Sequence, residues 1–139
     1  MSLKIIFYLS FVLKRNLFST YNIQHDPMGL CYLFFLILGF IPLRSHKGSH
    51  GFDDTPANCL CNHGVEDTNQ FLFSCPFFVI QRATLMTSVN VILQRYNLIN
   101  LVNQPDLYLY GYRTLDSADN KQILLSTIRF IKDSQRFSV

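Results

Sequence analysis

Glutamate is nearly missing from this 139-residue sequence: Glu66 is the only one, among nine acidic residues in all. Acid–base catalysis works through positioned groups whose proton affinities are set against one another, and Glu66 has no evident partner of that kind nearby. Glycine is also scarce, six in all, and no glycine-rich loop of the kind that cradles phosphates is present. No apolar run reaches the roughly 20 residues that a membrane-spanning helix needs. Tryptophan is absent, and charged residues make up only 15% of the chain against 49% hydrophobic, an under-charged surface for a soluble domain. No internal repeat or low-complexity tract occurs. The length suits one modest domain and excludes two.

What charge there is leans positive. Twelve Lys and Arg give a net charge of +3, but they are spread along the chain. A nucleic-acid footprint is therefore permitted without being announced.

Two apolar stretches stand out. In "MSLKIIFYLSFVLKR", Lys4 precedes the run Ile5 to Leu13, closed by Lys14 and Arg15. No convincing small-residue cleavage site follows, so a short helix or strand is expected rather than a secretory signal. In "GLCYLFFLILGFIPL", fifteen uncharged residues lie between Asp26 and Arg44. Extending this run would carry His25, Asp26 or Arg44 into hydrocarbon, and its length is that of a buried core helix. Asp26 as N-cap and Pro27 at the first helical position mark its start, and Pro42 its end. The span expected is 27–41.

From Arg44 to Asn58 the chain is polar and rich in turn signals. Its "GFDDT" places Phe52 beside Asp53 and Asp54, superficially like the carboxylate turn of a polymerase, but the residue between aromatic and acids is absent and no apolar strand precedes it. A capped turn is the expected role. In "GVEDTNQFLF", Asp67 or Thr68 is expected to cap a short helical turn ending near Ser74. From Pro76, the residues Phe78, Leu85, Val89, Ile92 and Tyr96 fall near one helical face, with Gln81, Thr84, Ser88 and Arg95 opposite. That spacing predicts a helix over 76–97. After "YGYRTLDSADN", with Asp116 or Ser117 as cap, Leu124, Ile128 and Ile131 form an apolar stripe and Lys121, Arg129 and Lys132 stay wet, predicting a helix over 118–133. The stretch "NQPDLYLYGY" suits a short helix or a strand.

Three of the four cysteines lie in "CLCNHGVEDTNQFLFSC". A structural zinc site needs four Cys or His ligands around a tetrahedral ion. Cys59 and Cys61 make a tight pair. Cys75 arrives just before Pro76 at a helix start, where the helix dipole favours a thiolate. The fourth ligand is the difficulty: His63 is close but needs a cramped loop, and Gly48 and Gly51 weaken any turn presenting His46 and His50. Two readings stand from spacing alone, a zinc site and a set of buried thiols with surface histidines. A disulfide framework is disfavoured, because only the distant Cys31 could complete a second pair.

Taken in order, "YNIQHDPMGLCYL", "LRSHKGSHGFDDTPANCLCNHGVEDTNQFLFSCPFF" and "LYGYRTLDSADNKQILLSTIRFIKDSQRFSV" resemble the C-terminal region of non-LTR retrotransposon polyproteins, downstream of the reverse transcriptase domain. The resemblance covers residues 21–139 and leaves 1–20 as an apolar N-terminal segment. It implies a small zinc-knuckle-like module followed by helices that helps to hold RNA or target DNA, with catalysis carried elsewhere. By the resemblance, the family's cysteines fall on Cys59, Cys61 and Cys75, its histidine pair on His46 and His50, and its remaining histidine on Gln70. An amide is a poor zinc donor, so His63 is the expected stand-in. Gly48 replaces an aromatic residue, and Phe34, Phe35 and Ile37 take positions where polar or basic residues are expected. These departures read as drift.

The expectation is a mainly α, small helical domain with an irregular Cys/His loop over 44–75. The function expected is a non-enzymatic, retrotransposon-derived fragment, intracellular in nucleus or cytoplasm, with no small-molecule substrate. Zinc at low occupancy would sit on Cys59, Cys61, Cys75 and His63, and residual RNA or DNA contacts would come from Lys47, Arg82 and Arg95. The alternatives are a small membrane-associated helical protein using 5–13 and 29–43, and a helical module docking onto a protein partner through Phe78, Leu85, Val89 and Ile92.

Overall fold

The computed structural model of the chain describes residues 27–38, 61, 62 and 64–136. Helices α1 (Pro27–Leu38), α2 (Val79–Arg95), α3 (Pro105–Tyr110) and α4 (Ser117–Ser134) carry the architecture. A π-helical turn at Gln70–Ser74 and 3₁₀ turns at Pro76–Phe78 and Ile99–Asn103 link them. No strand occurs among the described residues, so the mainly α expectation holds for them. Residues 39–41 of the expected first helix, and the apolar run 5–13, lie outside the described set.

Each helix end has a local cause. Asp67 caps the turn before Cys75, its Oδ1 accepting from the Gln70 amide at 2.8 Å, as expected for an Asp at an N-terminus. The segment after Pro76 starts as a 3₁₀ turn and becomes α-helical only at Val79. It stops at Asn97, whose left-handed φ of 57° lets the Leu98 amide reach back to the Leu93 carbonyl and the Asn97 amide to that of Gln94. This is the paired closure that Gly or Asn gives a helix end. Asp116 caps α4 by accepting from the Asp119 amide at 2.8 Å. The undecided "NQPDLYLYGY" stretch is helical, with Pro105 at its first position and Asp106 in its first turn, both favourable to a helix start.

Helix α4 is the element on which α1, α2 and α3 all pack. Its sequence explains this: Ile123, Leu124, Ile128 and Ile131 recur at helical spacing, and all are buried. Against them lie Leu33 and Leu36 of α1, Leu85, Val89 and Leu93 of α2, and Leu107 and Tyr108 of α3. Phe71 fills the gap beneath the π-turn, its ring 5.1 Å from Phe130 and 5.3 Å from Phe78, centroid to centroid. These separations suit tilted and edge-on aromatic pairs. Tyr108 is fully buried and donates its hydroxyl to the Val102 carbonyl, which is how a buried phenol avoids an orphaned donor.

The loop between α3 and α4 is locked by one side chain. Buried Asn120 accepts from the Tyr112 amide at 2.8 Å and donates to the Tyr112 carbonyl at 3.0 Å and the Leu115 carbonyl at 3.3 Å. The close approach depends on Gly111, at φ +76°, where an added Cβ would lie 2.7 Å from Asn120 Oδ1.

Gly111→Ala should cost about 2–4 kcal/mol in urea-induced unfolding, combining left-handed backbone strain with displacement of Asn120. Asn120→Ala should cost a similar amount, roughly 2–3 kcal/mol, by stripping partners from three backbone groups. Because the two act on one contact, the double variant should lose less than the sum.

Candidate functional site

The residues nominated from sequence meet, in part, at the π-turn. Immediately after Cys61 the chain reverses, with Asn62 at φ 63° and Gly64 at φ +142°. The reversal brings the half-buried Cys61 against Gln70, whose Nε2 donates to the cysteine Sγ at 3.2 Å. On the other side of the same residue, the Gln70 carbonyl accepts from the Cys75 amide at 2.8 Å. That bond skips five residues, so the turn is wider than an α-turn, a geometry that often accompanies functional sites. Cys61 and Cys75, fourteen positions apart in sequence, are thus both held by Gln70. Cys75 is fully buried and Gln70 nearly so. Gln70 Oε1 is buried with no hydrogen-bond partner. An orphaned amide oxygen costs free energy unless a donor or an ion satisfies it.

Cys59, His63 and Lys47 lie outside the described residues. Among the described residues, no group of three or more His, Cys, Asp or Glu side chains comes together. Chemically, the thiols of Cys61 and Cys75 are soft donors suited to zinc, and the Gln70 amide is a weak one.

Arg82 and Arg95 both make internal bonds. Arg82 reaches from α2 back to the π-turn, donating Nε to the Leu72 carbonyl at 2.7 Å and a terminal nitrogen to the Phe71 carbonyl at 3.1 Å. It satisfies carbonyls that the wide turn leaves over. Burial lowers its pKa, and the nearby Cys75 works weakly the other way. Arg95 is more than half exposed and pairs with Asp119 at 2.8 Å. Tyr96 donates its hydroxyl to the other Asp119 oxygen at 2.6 Å and accepts from the Asp116 amide at 3.3 Å. The arrangement is a capping box with a relay: Tyr96 stands between the capping residue and the acid at the third helical position.

The sole glutamate turns out to be structural. Glu66 is buried and forms a two-pronged ion pair with Arg136, Nε to Oε2 at 2.7 Å and a terminal nitrogen to Oε1. Bidentate Arg–carboxylate pairs are among the strongest polar contacts. This one spans seventy positions and fixes the exit of the cysteine loop to the end of α4. The sequence offered no signal for it, because the partner is neither local nor periodic. The Tyr96–Asp119 contact was half visible, since "DSAD" reads as a cap but says nothing of its phenol.

Arg136→Leu leaves the Glu66 carboxylate buried without its main partner and should lower stability by about 3 kcal/mol, read by denaturant titration. A pH series tests the second network. The Tyr96 hydrogen bond and then the Arg95 contact hold the Asp119 carboxyl below its ordinary value, and the bond to Asp119 raises the Tyr96 phenol. The Asp119 contribution should therefore be full above about pH 4 and drain away as pH falls through its lowered value. The Tyr96 contribution should be full below about pH 10 and fade above it. Asp119→Asn should flatten the acid limb of thermal unfolding.

Set beside known protein families, curated proteins and solved structures, the chain matches none of them.

Proposed function

We propose that the chain is a non-enzymatic fragment derived from a non-LTR retrotransposon polyprotein, whose cysteine loop is a weakened zinc-knuckle-like site with residual affinity for RNA or DNA. One observation carries the reading: Cys61 and Cys75 converge on Gln70, the residue that stands where the resemblance expects a histidine. An imidazole there would sit between two sulfurs. The glutamine that replaces it donates a hydrogen bond to Cys61 instead of a lone pair to a metal, and its oxygen is left orphaned. A ligand position converted into a hydrogen-bonded plug is what a knuckle with reduced affinity would contain. Zinc, when bound, would be held by Cys59, Cys61 and Cys75 with His63 as fourth donor, and would supply cross-linking rather than catalysis.

Nucleic acid would be met by phosphate contacts rather than base readout. Lys47, Arg82 and Arg95 are the proposed contacts, with Arg95 the more exposed of the two described ones. The thiols suit a reducing, intracellular setting. No group in the described residues is arranged for acid–base or nucleophilic work, and no small-molecule substrate is proposed.

The membrane reading has less support. Leu33 and Leu36, inside its nominated stretch 29–43, are buried against the rest of the fold. The helical segment among the described residues that is long and apolar enough to cross a bilayer is Pro76–Arg95, which that reading did not nominate.

Zinc per chain, measured by elemental analysis on reduced protein after dialysis against a chelator, tests the proposal. Wild type should retain well under one equivalent, and Gln70→His should bring the value toward one. Wild type holding a full equivalent against a strong chelator would show that the site is not weakened. Failure of Gln70→His to gain zinc would remove the knuckle reading. Binding to single-stranded RNA should fall steeply with salt.

A further inference from the structure

The outward side of α2 carries a pattern that the core does not use. Phe77, Ile80, Thr84, Thr87, Val91 and Gln94 are all exposed, and Ile80 retains 78% of its free surface. Their spacings are three, four, three, four and three residues. That alternation is the seam of a coiled coil, where every 3.5 residues a side chain faces a partner helix. The opposite side of α2 is already committed, since Leu85, Val89 and Leu93 lie in the core. The seam is therefore a second contact face on the same helix, turned to solvent.

The seam is chemically dry. Thr87 donates its hydroxyl to the Ala83 carbonyl at 2.8 Å, and the neighbouring Ser88 donates to that of Thr84 at 3.2 Å. With its hydroxyl folded back on the helix, Thr87 can be desolvated without losing a partner. The one charge between Phe77 and Gln94 is Arg82, and it is turned inward to the Phe71 and Leu72 carbonyls. A nucleic acid finds no cation along this stripe. A lipid surface finds no basic flank of the kind that anchors an interfacial helix.

The order of the seam names the partner. The gaps read the same in either direction, so a two-fold axis between Thr84 and Thr87 superposes the seam on itself. An antiparallel neighbour of identical sequence then sets Ile80 against Val91 twice, Thr84 against Thr87 twice at the close centre, and Phe77 beside Gln94 at each end. Such a contact is isologous, which is the form closed dimers take. It also brings no like charges together. We infer that two copies of this chain associate through the outward face of α2, as an antiparallel helix pair centred between Thr84 and Thr87. The helix is only about 25 Å long, which limits the buried area and places the dissociation constant on the order of tens of micromolar.

Sedimentation equilibrium on the full chain, from about 1 to several hundred micromolar, tests this. The weight-average mass should climb from 16.2 kDa toward about twice that value. Ile80→Asp and Val91→Arg, both at exposed positions, should each hold the chain monomeric while leaving its circular dichroism and thermal unfolding unchanged. Combining them sets Asp against Arg across the axis twice and should restore association. A wild type that stays monomeric throughout would overturn the inference. So would association that both single variants leave intact, a double variant that stays apart, or variants whose only effect is lost binding to neutral phosphatidylcholine vesicles.

Discussion

A buried ion pair between Glu66 and Arg136 closes this fold on itself. It joins the residue that follows the Cys61 reversal to the end of the last helix, and both the loop and the core depend on the closure. With the loop exit pinned, Asp67 can cap the next turn, Phe71 can drop onto Phe130, and Gln70 is carried to Cys61. A charge pair at such a place is more costly to break than it is stabilising to have. Its contribution is therefore specificity: it decides which part of a long polar loop touches α4.

From that closure the architecture propagates through α4. Three helices lean on one, and each meets it through a different device. Helix α2 does so by apolar ridges and by the Tyr96–Asp119 junction, α3 by the Asn120 lock on the Gly111 turn, and α1 by Leu33 and Leu36. The polar devices sit at helix ends, where backbone groups would otherwise lack partners. The cysteine-bearing turn obeys the same rule, with Arg82 and Gln70 satisfying its carbonyls and amides. The candidate site is thus built from the same capping logic as the scaffold, which explains how it keeps its shape while its ligand set departs from the resemblance.

The helices were legible from sequence because their causes are local. The stripe Leu124, Ile128, Ile131 and the cap Asp116 locate α4 within one residue at each end. Asn97 was readable as the stop of α2, since a left-handed Asn is a local signal. The 3₁₀ start before Val79 was not, because Pro76 signals a helix entry without fixing its type. At the site, Asp67 and Cys75 were readable. The engagement of Arg82 with Phe71 and Leu72 was not, for a surplus of carbonyl groups arises only once the wider π-turn exists. The outward seam of α2 was present in the spacing all along, hidden because the inward face of the same helix gives the stronger periodic signal.

The folded-back hydroxyls of Thr87 and Ser88 carry a mechanical consequence. Side chains that bond the carbonyl four residues earlier compete with the backbone ladder and favour curvature. Two in succession place the most compliant turn of α2 at its midpoint, so the rod can bow around the hydrophobic interior while its capped extremities stay fixed.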